Sequence, residues 1–160
     1  MQKRISYKVE ELVPVMLDLF AKGKKVIISA TGNSMAPLIR NKKDSIVLSA
    51  YKDENLGVGD MVFYKRKNGR YVLHRIVDIA SDGKFIMLGD NQIKMEETVD
   101  IKQIVALPVA VIRGEKEVSL TSDGYKLYTK LWKKKSLIRI AYIKLFAFKI
   151  KLSRLIKKII

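Results

Sequence analysis

Cysteine is absent from this 160-residue chain, and histidine occurs once, at position 74. Without thiols there is neither a disulfide framework nor a thiolate metal site, and a single imidazole cannot build a His-rich zinc centre, so no metal and no other cofactor is expected. Acid is missing from a whole region: Gly124 to Ile160 holds twelve Lys or Arg and no Asp or Glu. The formal net charge of +16 therefore sits mostly in a basic C-terminal segment, because residues 1–123 carry twenty bases against sixteen acids. Also missing is any run of about eighteen consecutive apolar residues, the length that crosses a bilayer as a helix. The N-terminus, Met1-Gln2-Lys3-Arg4-Ile5-Ser6-Tyr7, leads to Glu10, Glu11 and Asp18 instead of the apolar centre of a secretory signal. The expected location is cytoplasmic. A chain of this length supports one domain with a real core and appended elements.

Between Tyr7 and Lys22 the apolar positions Val9, Leu12, Val13, Met16, Leu17, Leu19 and Phe20 fall mostly at helical spacing, with Gly23 as a stop. Pro14 predicts a late start or a bend. After Lys24 the texture changes to short β-rich runs, read as strands near Val26 to Ala30, Ser45 to Ser49, Met61 to Lys65, Tyr71 to Ile79, Phe85 to Leu88, Ile104 to Ile112 and Glu117 to Leu120. Asn68-Gly69 is a hairpin signal because both residues tolerate positive φ in a tight turn, and Asp82-Gly83 is a second. Many short strands with regular turn punctuation predict a mainly β fold, a curled antiparallel sheet or partial barrel, between an N-terminal helix (1–23) and a C-terminal helical tail (124–160).

In that tail Ile138, Ala141, Leu145, Phe148, Leu152, Leu155 and Ile159 recur at spacings of three and four, one apolar stripe with Arg139, Lys151, Arg154, Lys157 and Lys158 largely on other faces. Leu137 to Ile150 is apolar nearly all round, yet at about 1.5 Å per residue it reaches only roughly 21 Å, short of a hydrocarbon core of roughly 30 Å. A basic amphipathic helix of this kind is expected to lie on an anionic membrane surface, with Trp132 and Tyr142 either at headgroup level or serving as packing residues. The alternative is a terminal helix docked on the domain or on a partner. Nucleic acid is not the expected partner, since the tail is so apolar and the body has no dense run of bases interleaved with aromatics.

Three segments carry potential chemistry. Ser34 lies in Thr31-Gly32-Asn33-Ser34-Met35-Ala36-Pro37, where a turn among small residues leaves a hydroxyl open to a substrate carbonyl and surrounding N–H groups open to an oxyanion. His74 lies on a strand where Tyr71, Leu73 and Arg75 face one way and Val72, His74 and Ile76 the other. It is either a satisfied core histidine or the base that serine needs near neutral pH. Asp90, in Gly89-Asp90-Asn91, is either a turn residue or the carboxylate that orients the imidazole.

The set of motifs resembles the serine peptidases of the signal peptidase and SOS-repressor clan: Ser-Met-x-Pro at Ser34, Gly59-Asp60-Met61-Val62 leading into a strand, the His74-Arg75 pair and Gly89-Asp90-Asn91, in that order over about residues 24–112. Histidine before Arg75, where the lysine-using members show Lys-Arg, favours the histidine-using type. The resemblance implies the clan's curled sheet, with Ser34 as nucleophile, His74 as base and then acid, and Asp90 as support to His74. Glu96, Glu97 and Asp100 are weaker candidates for a second acid. Gly32 stands where many signal peptidases have serine, which leaves the Ser34 amide as the expected oxyanion donor. Lys65, Arg66 and Lys67 read as a solvated hairpin end.

The expected function is thus a serine endopeptidase that removes a leader or signal segment from a peptide or protein precursor at the cytoplasmic membrane surface. One alternative is a soluble peptidase dedicated to a modified-peptide precursor; another is a non-catalytic β-domain that binds a peptide or a membrane. A self-cleaving regulator is disfavoured, because about 23 residues before the body leave no room for a helix-turn-helix domain.

Overall fold

The structure, a computed structural model, describes residues 9–52, 55–95, 98–132 and 137–159, with side chains as far as Ser153. Helix α1, Val9–Ala21, is followed by strands β1 (Val26–Ser29), β2 (Asp44–Ala50), β3 (Met61–Lys65), β4 (Tyr71–Ile79), β5 (Phe85–Leu88) and β6 (Thr98–Val99). A 3₁₀ turn, Ile101–Gln103, leads into β7 (Ile104–Arg113) and β8 (Lys116–Ser119), and the chain closes with helices α2 (Asp123–Leu131) and α3 (Leu137–Ile159). No late start occurs at Pro14: α1 runs through it, with Val13, Met16 and Phe20 buried on the sheet. Burial of that stripe outweighs the one helical hydrogen bond that proline cannot donate.

The strands form one antiparallel sheet in the order β1-β2-β7-β3-β4-β5-β6, with β8 also on β7. The sheet does not close, because the path begins at β1 and ends at β6. Strand β7 is its spine: β2 pairs along it from Ala106 to Arg113, while the other edge is shared by β3 at Ile104 and Ala106 and by β8 from Ala110 to Arg113. Strand alternation gives two cores. Met61, Phe63 and Leu73 pack with Ile46, Leu48, α1 and the buried Met35 and Ile39, whereas Val62, Tyr64 and Ile76 pack with Phe85, Met87 and Val99 on the other side.

Both hairpin signals form turns, of a different kind from the one expected. At β3–β4, Arg66 N–H donates to Arg70 O (2.8 Å) and Gly69 N–H to Arg66 O (2.9 Å), with positive φ at Gly69 (84°) and not at Asn68. The loop is a three-residue turn with glycine in the left-handed position. Ala80, Gly83 and Lys84 repeat the pattern at β4–β5. Asn68 serves instead through its side chain, which accepts from the Arg70 N–H. Lys65 and Lys67 are exposed at this hairpin end.

Behind the Ser34 turn the buried Asp44 carboxylate opens β2. It accepts from the Arg40 N–H (2.8 Å), Nε (3.1 Å) and Nη2 (2.7 Å), and Arg113 Nη2 stands 3.7 Å away while donating to Leu38 O. Burial pushes the Asp44 carboxyl up, but the Arg40 hydrogen bonds and the Arg113 and Arg40 charges outweigh it and hold the group below its ordinary value. Stability from a depressed carboxyl is present above the unfolded-state value, about 3.9, and is lost as pH falls through the folded one. Asp44→Asn is therefore expected to cost about 2 kcal/mol at pH 7, with the gap to wild type narrowing below about pH 4. Urea unfolding of both proteins across that range checks it.

Candidate active site

Ser34 is half-buried at the start of a run of turns, anchored on one side by Met35 and Ile39 in the core and on the other by the Arg40–Asp44 pair. It lines a cavity of about 110 Å³ with Ile28 and Ala30 from the β1 side and Val72 and Leu73 from β4, the two residues just before His74. The Gly32 N–H is taken up by Asn41 Oδ1 at 3.0 Å. Among the described residues neither the Ser34 N–H nor its hydroxyl is hydrogen-bonded, so both are open toward an incoming group.

The Gly89-Asp90-Asn91 segment sits directly on this turn. Asn91 N–H donates to Ser34 O at 2.7 Å, and Asn91 Nδ2 to Asn33 O at 3.1 Å. Gly89 is the point of closest approach: a Cβ there would lie 2.7 Å from Ser34 O and 2.7 Å from Gln92 Oε1, whose side chain accepts from the Gly89 N–H. The last β4–β5 pair is Arg75 with Leu88. The Ser34 turn thus rests on the segment that follows β5, whose last residue, Leu88, pairs with Arg75, the neighbour of His74 on β4.

His74 is buried and shares its face with Val62, Val72 and Ile76, as the alternation predicts. Its Nδ1 lies 3.4 Å from the Tyr64 hydroxyl. The expected pairing of Asp90 with His74 is corrected. The buried Asp90 carboxylate is held by Arg75, Nε to Oδ1 at 2.8 Å and Nη2 to Oδ2 at 2.8 Å. Consecutive residues of a strand project to opposite faces, and the carboxylate lies on the side of Arg75. Tyr128 Oη donates to Asp90 Oδ2 (2.9 Å), and Trp132 Nε1 to Asp90 O (2.9 Å).

Arg75 Nη1 donates to Gly59 O (2.7 Å) and to the Tyr125 hydroxyl (3.0 Å). Burial lowers the Arg75 pKa, but the bonds to Asp90 outweigh it and raise the net value. Burial, then the Asp90 charge, push the Tyr128 phenol up, so it stays protonated and keeps donating. Further along, Arg139 of α3 donates to the carbonyls of Gly89 and Gln92. The tail is accordingly built into the site through Tyr125, Tyr128, Trp132 and Arg139. Past that point α3 keeps Tyr142, Ile143, Phe146 and Ile150 at least half-buried, while the stripe read from the sequence faces outward, with Ile138 56%, Leu145 67%, Phe148 63% and Leu152 47% exposed.

Asp100 caps the 3₁₀ turn, accepting from the Lys102 N–H while its own N–H donates to Gln103. Glu96 and Glu97 lie outside the described residues. Among the described residues no cluster of His, Asp and Glu is arranged to hold a metal ion, and no helix is long and apolar enough to cross a membrane. In comparisons with known proteins, the chain matches no protein-family model and no curated protein.

Sequence reasoning missed Tyr64, Tyr125, Tyr128 and Arg139 as members of this neighbourhood. The signal for the tail was present: Tyr125, Tyr128 and Trp132 stand at i, i+3 and i+7 and share one face of α2. Arg75→Met, which leaves the Asp90 carboxylate buried without its cation, is expected to cost about 3–5 kcal/mol. Tyr128→Phe, which removes a single donor, is expected to cost about 1 kcal/mol. Denaturant midpoints of the two variants against wild type check both the size and the order.

Proposed function

We propose that this chain is a serine peptidase of the signal-peptidase type, with Ser34 as nucleophile and His74 as its base, acting on an extended precursor segment at the cytoplasmic face of a membrane. The observation that carries the reading is the contact of Gly89 and Asn91 with the Ser34 turn, which joins that turn to the segment leaving β5, the partner of the strand that bears His74. The unpartnered Ser34 N–H supports it as an oxyanion donor. In the tautomer with hydrogen on Nδ1, His74 donates to Tyr64, and Nε2 is then the ring nitrogen that would accept the serine proton. Tyr64 then fills the orienting role expected of Asp90, and Asp90 with Arg75 holds the Ser34 turn in place.

Attack of the Ser34 oxygen on the scissile carbonyl passes its proton to His74, which returns it to the leaving amine; water then repeats the cycle on the acyl-enzyme. Among the described residues β1 pairs only with β2, so its outer edge would offer N–H and C=O groups to an extended substrate beside the cavity. The small, largely apolar cavity next to Ser34 favours small side chains before the cleaved bond. The outward stripe of α3 with Lys144, Lys149 and Lys151 supports attachment to an anionic interface. The unbonded Ser34 hydroxyl favours a second reading, a non-catalytic peptide-binding β-domain, although such hydrogen bonds often tighten only with substrate.

Ser34→Ala is expected to lower cleavage of a precursor peptide by at least about 10³-fold without loss of fold, and an acylating probe is expected to label wild type at Ser34. A correctly folded wild type that neither reacts with the probe nor cleaves leaves the binding-domain reading. Gly89→Ala, which pushes the Ser34 carbonyl away, is expected to slow cleavage at least about tenfold, in keeping with the sensitivity of rates to misplacements of about 1 Å. Cleavage should also fall on acidification, because only a neutral imidazole accepts a proton. A rate indifferent to pH would assign the base to another group.

A further inference from the structure

A groove of about 680 Å³ runs between the Ser34 turn and α3. Ala36 and Pro37, just after the nucleophile, form one wall, and Leu145, Phe146 and Ile150 the other. Three cations, Arg40, Lys43 and Lys149, line it, and among the described residues no acidic side chain does. Arg40 is bonded to Asp44 but keeps its side chain 46% exposed. Lys43 and Lys149 are exposed and have no ionic partner among the described residues. Leu145 belongs both to the groove and to the outward stripe of α3, so the apolar surface is continuous from one to the other.

We propose that this groove seats one anionic phospholipid, its phosphate between Lys43 and Lys149 and an acyl chain along Leu145, Phe146 and Ile150. An apolar wall calls for a hydrocarbon ligand and a cationic lining for an anion, and an amphiphile satisfies both at once. Continuity with the outward stripe sets the rest of the lipid in the layer on which α3 would lie. The inference rests on the membrane-surface part of the reading above and is independent of its chemistry. Asn33, Ala36 and Pro37 flank Ser34, so an occupied groove braces the turn that carries the hydroxyl.

The test uses the full chain and its single tryptophan, since Trp132 packs edge-on against Tyr142, a groove residue, at 5.3 Å. Titration with a short-chain phosphatidylglycerol below its micelle concentration is expected to change Trp132 emission saturably. Phosphatidylcholine of equal chain length and inorganic phosphate are expected to leave it unchanged. Lys43→Glu should raise the half-saturating concentration about tenfold, because it replaces an attractive charge near the phosphate by a repulsive one. Lys116→Glu, the same charge change on β8 outside the groove, should not.

Equal behaviour of those two variants, or no saturable response, overturns the site. So does a response to an acidic amphipathic peptide where the lipid gives none, which would make the groove a peptide exosite. Co-sedimentation with phosphatidylglycerol vesicles separates the two levels. A wild type that does not sediment overturns the membrane reading and the site together. If sedimentation is lost in Phe148→Glu/Leu152→Glu and Lys43→Glu binds the lipid as wild type does, the outward stripe stands and the groove site falls.

Discussion

Two opposite charges meet out of water where Arg75 and Asp90 pair, and the arrangement around Ser34 depends on their meeting well. Moving either ion from water into the protein costs several kcal/mol, an outlay that attraction offsets only where geometry is good and the remaining donors are satisfied. Here the guanidinium uses four of its five N–H groups, on both carboxylate oxygens, Gly59 O and the Tyr125 hydroxyl. The Tyr125 and Tyr128 rings lie 5.7 Å and 5.8 Å from the guanidinium carbon, within cation–π range. Such a pair adds little net stability over an apolar substitute, but it fixes orientation, and at this point orientation matters. A bidentate pair sets the Gly89–Asn91 segment in one pose, and that segment sets the serine.

The same interaction makes the basic C-terminal region part of the domain. Tyr125, Tyr128 and Trp132 reach the ion pair or its backbone from α2. A ladder of rings then carries the contact onward, Tyr128 to Trp132 at 5.0 Å, Trp132 to Tyr142 at 5.3 Å and Tyr142 to Phe146 at 5.7 Å. Offset and edge-on ring pairs contribute directional attraction beyond area burial. Helix α3 thus joins the body through its aromatic face and leaves its aliphatic stripe to the outside. A helix apolar on two sides has two surfaces to cover, and the domain covers one.

The sheet was legible in the sequence because its strands are short, β-branched and separated by turn residues. Strands β3, β4 and β5 lie at the expected bounds, β1 and β7 differ by one residue at one end, and β2 and β8 by one residue at each end. The two-residue β6 was not legible, since Thr98-Val99 has no periodicity to read. In the tail the spacing of Ile138, Leu145 and Phe148 identified a real stripe but could not tell which side the body would take. The body took the side bearing Arg139, because the carbonyls of Gly89 and Gln92 offer that cation acceptors. For the site, alternation placed His74 and Arg75 on opposite faces in advance, yet one-dimensional order could not say which of them Asp90 would meet. The adjacent Arg75 was the stronger attractor, being always charged and able to engage both carboxylate oxygens.

The outer margin of β1 has a further implication. Among the described residues one side of β1 has no partner strand, an edge that a neighbouring copy could extend, and Ile27 is 59% exposed on it. Lys24 and Lys25 stand exposed immediately before this strand, where like charges repel a second copy arriving edge to edge. The lysine pair thus disfavours fibre-like stacking of one copy on another.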